Sequence, residues 1–209
     1  MCIRDSTTST EVNYGISCKY ATGLSHPETR SFRFGQSMLV EFGGMAVTKT
    51  FSDELKSTHK KLDKLSKKYS KFSELPDGVK EREIIRPTRD AFVDFIKESN
   101  DTNPSEIIKA LHEKALGSYP LYFARGGGHC GLHAIDFQGR LSAKKTATPT
   151  TIVSVKKGGG VSNEIDIDFG TYTMNIRLKN KDSSISRGAI ATSVTLSDEF
   201  WKTYEVELT

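Results

Sequence analysis

Apolar positions recur at helical spacing through the middle of the chain and alternate with polar ones toward both ends. Over residues 51–72, Leu55, Leu62, Leu65, Tyr69 and Phe72 form one stripe, the pattern of a helix with a single buried face. Its other faces carry Lys56, Lys60, Lys61, Lys64, Lys67, Lys68 and Lys71. Ser52 is the expected cap, with Asp53 and Glu54 in the first turn, where the helix dipole favours acids. A second helix is predicted over residues 87–99, with Phe92, Val93 and Ile96 inward. A third begins at Asn103-Pro104-Ser105-Glu106, which offers a cap, a proline at the first helical position and an acid three residues past the cap. Ile107, Ile108, Leu111, Ala115 and Leu116 face inward there, and Gly117 ends the element.

Strand periodicity governs the rest. Val12, Tyr14, Ile16 and Cys18 alternate with polar residues over 11–21, as in a half-buried strand. Further strands are predicted over residues 119–125, 132–137, 150–156, 164–178 and 205–208, separated by Gly, Ser, Asn and Asp. Residues 31–42 read as a strand or a short irregular core segment closed by Gly43-Gly44, and turns fall at 26–28 and 76–78. The expected fold class is α+β, a single body over residues 7–209. Residues 7–117 would supply the first strand and the helices, and residues 118–209 a β-rich part.

Composition narrows this picture. The chain has 209 residues, 36% hydrophobic and 27% charged, which fits a folded domain and not a disordered chain. No apolar run is long enough to span a bilayer, and no secretory signal is visible. Cys2, Cys18 and Cys130 are too few and too scattered for a disulfide framework, so a reducing, cytoplasmic setting is expected. A net charge of +4 permits a nucleic-acid partner without requiring one. Residues 1–6, MCIRDS, resemble a translated sequencing adapter and are set aside from the fold; the chain would then be truncated at its N-terminus.

The strand over 11–21 carries the leading chemistry. Ser17 and Lys19 share the face opposite its apolar side, an ammonium beside a small hydroxyl. The run GISCK at residues 15–19 resembles the lysine half-motif of type II restriction endonucleases of the PD-(D/E)xK fold. The resemblance implies a restriction-endonuclease-like mixed sheet with flanking helices, acting on double-stranded DNA, in a homodimer, with Mg²⁺ as cofactor. Lys19 would take the part of the catalytic lysine, and Ser17 would stand at the variant acid position found in some branches. The Cys18 carbonyl would be a metal ligand, with a carboxylate from Glu28 or Glu11. Glu11 lies on the strand face of Lys19, and Glu28 is the first acid after it. The family's other landmark, an aspartate ending the preceding strand, has no counterpart after residue 6.

Other segments compete. Gly126, Gly128 and Gly131 satisfy GxGxxG, but a strand pattern follows where a dinucleotide site needs a helix. A β-hairpin loop is expected instead, with Arg125 available to phosphate or guanine. His129, Cys130 and His133 would suit zinc, and Cys130, His133 and Asp136 a thiol hydrolase; strand alternation separates His133 from Asp136. Lys156 and Lys157 precede a triple glycine, and Arg177, Lys179 and Lys181 follow on a long strand. These basic residues would bind phosphate or serve only as solubilising charge. The function expected is a sequence-specific DNA endonuclease, with a non-enzymatic nucleic-acid-binding β-rich protein as the alternative and a Cys/His hydrolase or zinc protein behind both.

Overall fold

The computed structural model describes residues 20–22, 29–117, 121–126, 131–135, 148–158 and 163–208, with the side chains of 20–22, 121–126, 131, 132 and 208 left aside. The chain enters on β1 (Tyr20–Thr22). A short hairpin follows, β2 (Glu41–Phe42) and β3 (Met45–Ala46). Three helices come next: α1 (Lys49–Ser66), α2 (Arg86–Thr102) and α3 (Pro104–Leu116). Then come β4 (Leu121–Gly126), β5 (Gly131–Ile135), β6 (Ser154–Lys157), β7 (Glu164–Asp168), β8 (Thr173–Asn180) and β9 (Ile190–Leu196). Helix α4 (Asp198–Tyr204) leads into β10 (Glu205–Leu208).

Two four-stranded sheets result, a mixed one in the order β1-β4-β5-β10 and an antiparallel one in the order β6-β7-β8-β9. In the mixed sheet β1 runs parallel to β4, with Tyr20 opposite Ala124, Ala21 opposite Arg125 and Thr22 opposite Gly126. Parallel neighbours cannot be joined by a tight turn, and the crossover between these two contains all of α1, α2 and α3. In the antiparallel sheet Ile165, Ile167, Met174, Ile176 and Leu178 are buried while Asp166, Thr173, Arg177 and Lys179 are exposed, the alternation of a sheet with one wet face. Its β9 edge is covered by residues 32–34: Thr192 N–H donates to Phe32 O at 2.9 Å, and Phe34 N–H to Ile190 O at 2.9 Å. This contact satisfies backbone groups that an open edge would offer to another chain.

The helices pack through aromatic side chains. Phe92 on α2 meets Phe34 at 5.3 Å and Phe42 at 5.3 Å, both edge to face, and Phe51 on α1 stacks on Phe95 at 5.1 Å. Buried His59 on α1 joins this region through Nε2, 2.9 Å from Phe34 O. A second group, His112, Phe169, Tyr172, Phe200 and Tyr204, locks α3 and α4 to the turn before β8. Asn100 of α2 clamps the approach to β6, accepting from Ile152 N–H at 2.8 Å and donating to Ile152 O at 3.2 Å. One hydrophobic cluster draws members from both sides of residue 117.

Several elements differ from the periodicity reading. The α1 cap is Thr48, whose hydroxyl accepts from Phe51 N–H. Ser52 lies inside the helix, buried, and donates to Leu39 O at 2.8 Å. The helix stops at Ser66, and Phe72 belongs to a separate 3-10 turn, Phe72–Glu74. Asn103 precedes Pro104 as expected but makes no side-chain capping bond. The long strand over 164–178 is two strands, because Gly170 turns the chain at φ 85° between them. Strand β9 and helix α4 carry no counterpart in that reading, and neither does the π-turn at Glu81–Ile85 that leads directly into α2. Strand β10 matches at both ends.

Candidate nucleic-acid interface and nuclease motif

Glu11, Ser17, Cys18, Lys19 and Glu28 lie outside the described residues. What is described is the strand that the Ser17-Cys18-Lys19 run leads into. Its partner β4 contributes Arg125, in register with Ala21. In the sequence the motif immediately precedes this edge strand of the mixed sheet.

On the same sheet, β5 carries His133, and the Glu205 carboxylate of β10 lies 2.9 Å from its Nδ1. Both side chains are largely buried. His129, Cys130 and Asp136 lie outside the described residues, so the zinc and thiol-hydrolase readings meet the described part of the chain at His133 alone. Among the described residues no three His, Cys, Asp or Glu side chains come close enough to hold a metal ion.

The basic residues of the C-terminal part divide between two surroundings. Lys156 is exposed on the wet face of the antiparallel sheet, in register with Asp166, which in turn accepts from the Asn175 amide at 2.7 Å. Lys157, its neighbour, is turned to the helical side and pairs with Asp90 of α2 at 3.1 Å. Asp90 also takes the guanidinium of buried Arg89 at 2.6 Å. Arg177 and Lys179 stand two residues apart on β8 and therefore share a face. They line one side of a surface cavity of about 550 Å³. Arg177 is 3.9 Å from Glu164 across the β7–β8 ladder.

The cavity is also lined by Lys80 and by the π-turn that follows it, which contributes Glu81 and Ile85. Lys80 Nζ lies 3.1 Å from Glu81 and 3.5 Å from Asn180 Oδ1. Asn163, Asn180 and Ser193 complete the polar lining. Sequence reasoning missed Lys80. It follows the Pro76-Asp77-Gly78 turn and carries no periodic or motif signal, and only the fold brings it to residues about a hundred positions away.

The family described as HaeIII restriction endonuclease matches residues 1–190 of the chain. No curated protein matches it, and no solved structure does. The matched span includes the Ser17-Cys18-Lys19 run, the three long helices and the β7–β8 pair. Among the described residues no helix is long and apolar enough to cross a membrane.

Proposed function

Because the chain belongs to the HaeIII restriction endonuclease family, a family of DNA-cleaving hydrolases, we propose that it is a Mg²⁺-dependent type II enzyme with a PD-(D/E)xK core, acting as a homodimer on double-stranded DNA. The observation that carries this reading is the parallel β1–β4 pair immediately after Lys19, joined by a helical crossover. The strand that follows Lys19 is thereby the edge strand of the mixed sheet, with Arg125 of β4 opposite Ala21.

Lys19 is the residue that touches the reacting atoms. Its ammonium orients the attacking water and offsets the negative charge that develops on the phosphoryl oxygens. Ser17, on the same strand face, occupies the variant acid position. Glu11, Glu28 and the Cys18 main-chain carbonyl are hard oxygen donors, the set that suits Mg²⁺, and they would hold it. When bound, the cation polarises the phosphoryl oxygen and lowers the pKa of a water. Arg125, Lys156, Arg177 and Lys179 contact the DNA, and two-fold symmetry matches cleavage of both strands.

The test is cleavage of duplex DNA by the full chain with Mg²⁺, with and without excess chelator, and by Lys19→Ala. The expected result is cutting that stops on chelation and falls about 10²–10⁴-fold in the variant, the usual worth of one positioned proton-transfer group. Parental cutting by Lys19→Ala would remove that residue's role. Salt-sensitive duplex binding with no nicking would favour a purely binding protein.

A further inference from the structure

We propose that the cavity between the π-turn and β8 is a phosphodiester subsite, in which Lys80, Arg177 and Lys179 hold a single backbone phosphate of the duplex. The inference rests on the nuclease reading and adds a binding residue, Lys80, and a ligand chemistry to it.

Three cations from two distant segments converge on one hollow of about 550 Å³, and its lining includes a single carboxylate, Glu81. Like charges gathered around a cavity repel one another, and the arrangement raises the local positive potential that draws in anions. The acids present restrain two of the cations: Glu81 holds Lys80 at 3.1 Å and Glu164 lies 3.9 Å from Arg177. Among the described residues Lys179 has no carboxylate partner, and it is exposed. The backbone is built for this placement. A π-turn inserts an extra residue into the helical ladder and is a form enriched at functional sites; here it spans Glu81–Ile85, both ends of which line the cavity.

The lining amides are not free to read a base. An adenine edge needs an unoccupied Asn or Gln amide in the groove. The Asn163 amide already donates to Leu178 O at 2.9 Å, and the Asn180 amide to Asp182 O at 3.1 Å. What remains for a ligand is ammonium and guanidinium charge with the Ser193 hydroxyl beside it, the chemistry of a backbone contact that positions without specifying sequence.

The experiment measures binding of a labelled duplex by the full chain without divalent cation, across a salt series. The proteins are the parent, Lys80→Ala, Lys179→Ala, the double variant and Arg177→Ala, with circular dichroism confirming that each is folded. Neutralising one phosphate contributes about 0.9 to the slope of log K against log salt. A shared phosphate therefore predicts that each single variant weakens binding severalfold, equally on duplexes of different sequence. With Arg177 left on the phosphate, the double variant would lower the slope by at most about one and not by two. Parental affinity and slope in the double variant would overturn the subsite, as would a changed preference among sequences at constant slope. A parent that cuts while the variants bind normally sinks this inference alone. A parent that binds with the predicted slope change but never cuts supports the subsite and removes the nuclease reading.

Discussion

At the scale of the residue, the most constrained group is His112. Its Nδ1 lies 2.7 Å from Ile108 O, and its Nε2 lies 2.7 Å from the Tyr172 hydroxyl. A carbonyl only accepts, so Nδ1 carries the proton and Nε2 accepts from Tyr172. Burial disfavours the charged imidazolium and lowers the His112 pKa from 6.5 to about 4, while the hydrogen bond to Ile108 pulls the other way. Burial likewise raises the Tyr172 phenol far above its ordinary range, so it stays a donor. The sign for stability follows from linkage: between pH 6.5 and 4 the unfolded chain binds a proton at this histidine and the folded one does not. The stabilisation is fully present above about pH 6.5 and is lost as pH falls toward 4, by roughly 3 kcal/mol at 1.36 kcal/mol per pKa unit. Denaturant unfolding at pH 7 and pH 4.5 should reveal that loss, and the His112 ring resonance should stay in its neutral form down to pH 5. A ring that titrated near pH 6.5 would contradict the burial argument. The reading at Lys19 and Ser17 rests on local chemistry and strand alternation, and both residues lie outside the described part of the chain. Lys80 was not legible in the sequence, because its meaning comes from a partner strand.

At the scale of the element, local signals located most helices and strands, and neighbours moved their ends. By residue type Ser52 is the better cap than Thr48. Packing chose Thr48, because Ser52 faces Leu39 O and is buried. The hairpin β2–β3 shows how a turn is specified. Gly43 and Gly44 lie at φ 59° and 84°, the paired positive φ of a two-residue type I′ turn. They differ in surroundings: a Cβ on Gly43 would meet Ala110 Cβ at 2.6 Å, while one on Gly44 would meet nothing within 4 Å. Gly44→Ala should therefore cost about 1–2 kcal/mol for the backbone alone. Gly43→Ala should cost a further ~1–3 kcal/mol for overpacking against α3. Chemical denaturation of the two variants checks the order, and equal losses would show that α3 yields to the added methyl. The Gly170 turn that splits the long strand over 164–178 is the reverse case. The signal was a change of parity: the buried positions run 165, 167, 169 and then 172, 174, 176, 178, so the alternation slips by one at Gly170-Thr171, and a single strand over 164–178 passes over that slip.

At the scale of the whole molecule, Phe92 gathers the segments that precede and follow it. It contacts Phe32, Phe34, Phe42, Phe51 and Phe95 and is fully buried. Phe92→Ala should destabilise by about 3–5 kcal/mol, the range for emptying an aromatic site in a packed core. Thermal or denaturant unfolding measures it, and a loss under 1 kcal/mol would mean that the cluster collapses to fill the space. The crossover over α1, α2 and α3 makes β1 dependent on that core, since its partner β4 follows the last of these helices. The sequence by itself determined the α+β class, the three long helices, the restriction-endonuclease resemblance and the extent of β10. Each of these depends on side-chain periodicity or on chemistry within a few residues, which a linear chain displays. Only the tertiary structure decided that β1 pairs parallel with β4, that residues 32–34 cover the edge of β9, that Lys157 turns to Asp90, and that Arg177 and Lys179 line one cavity with Lys80. Those outcomes depend on which distant segments become neighbours. Burial of a shared core sets that choice, and no local pattern encodes it.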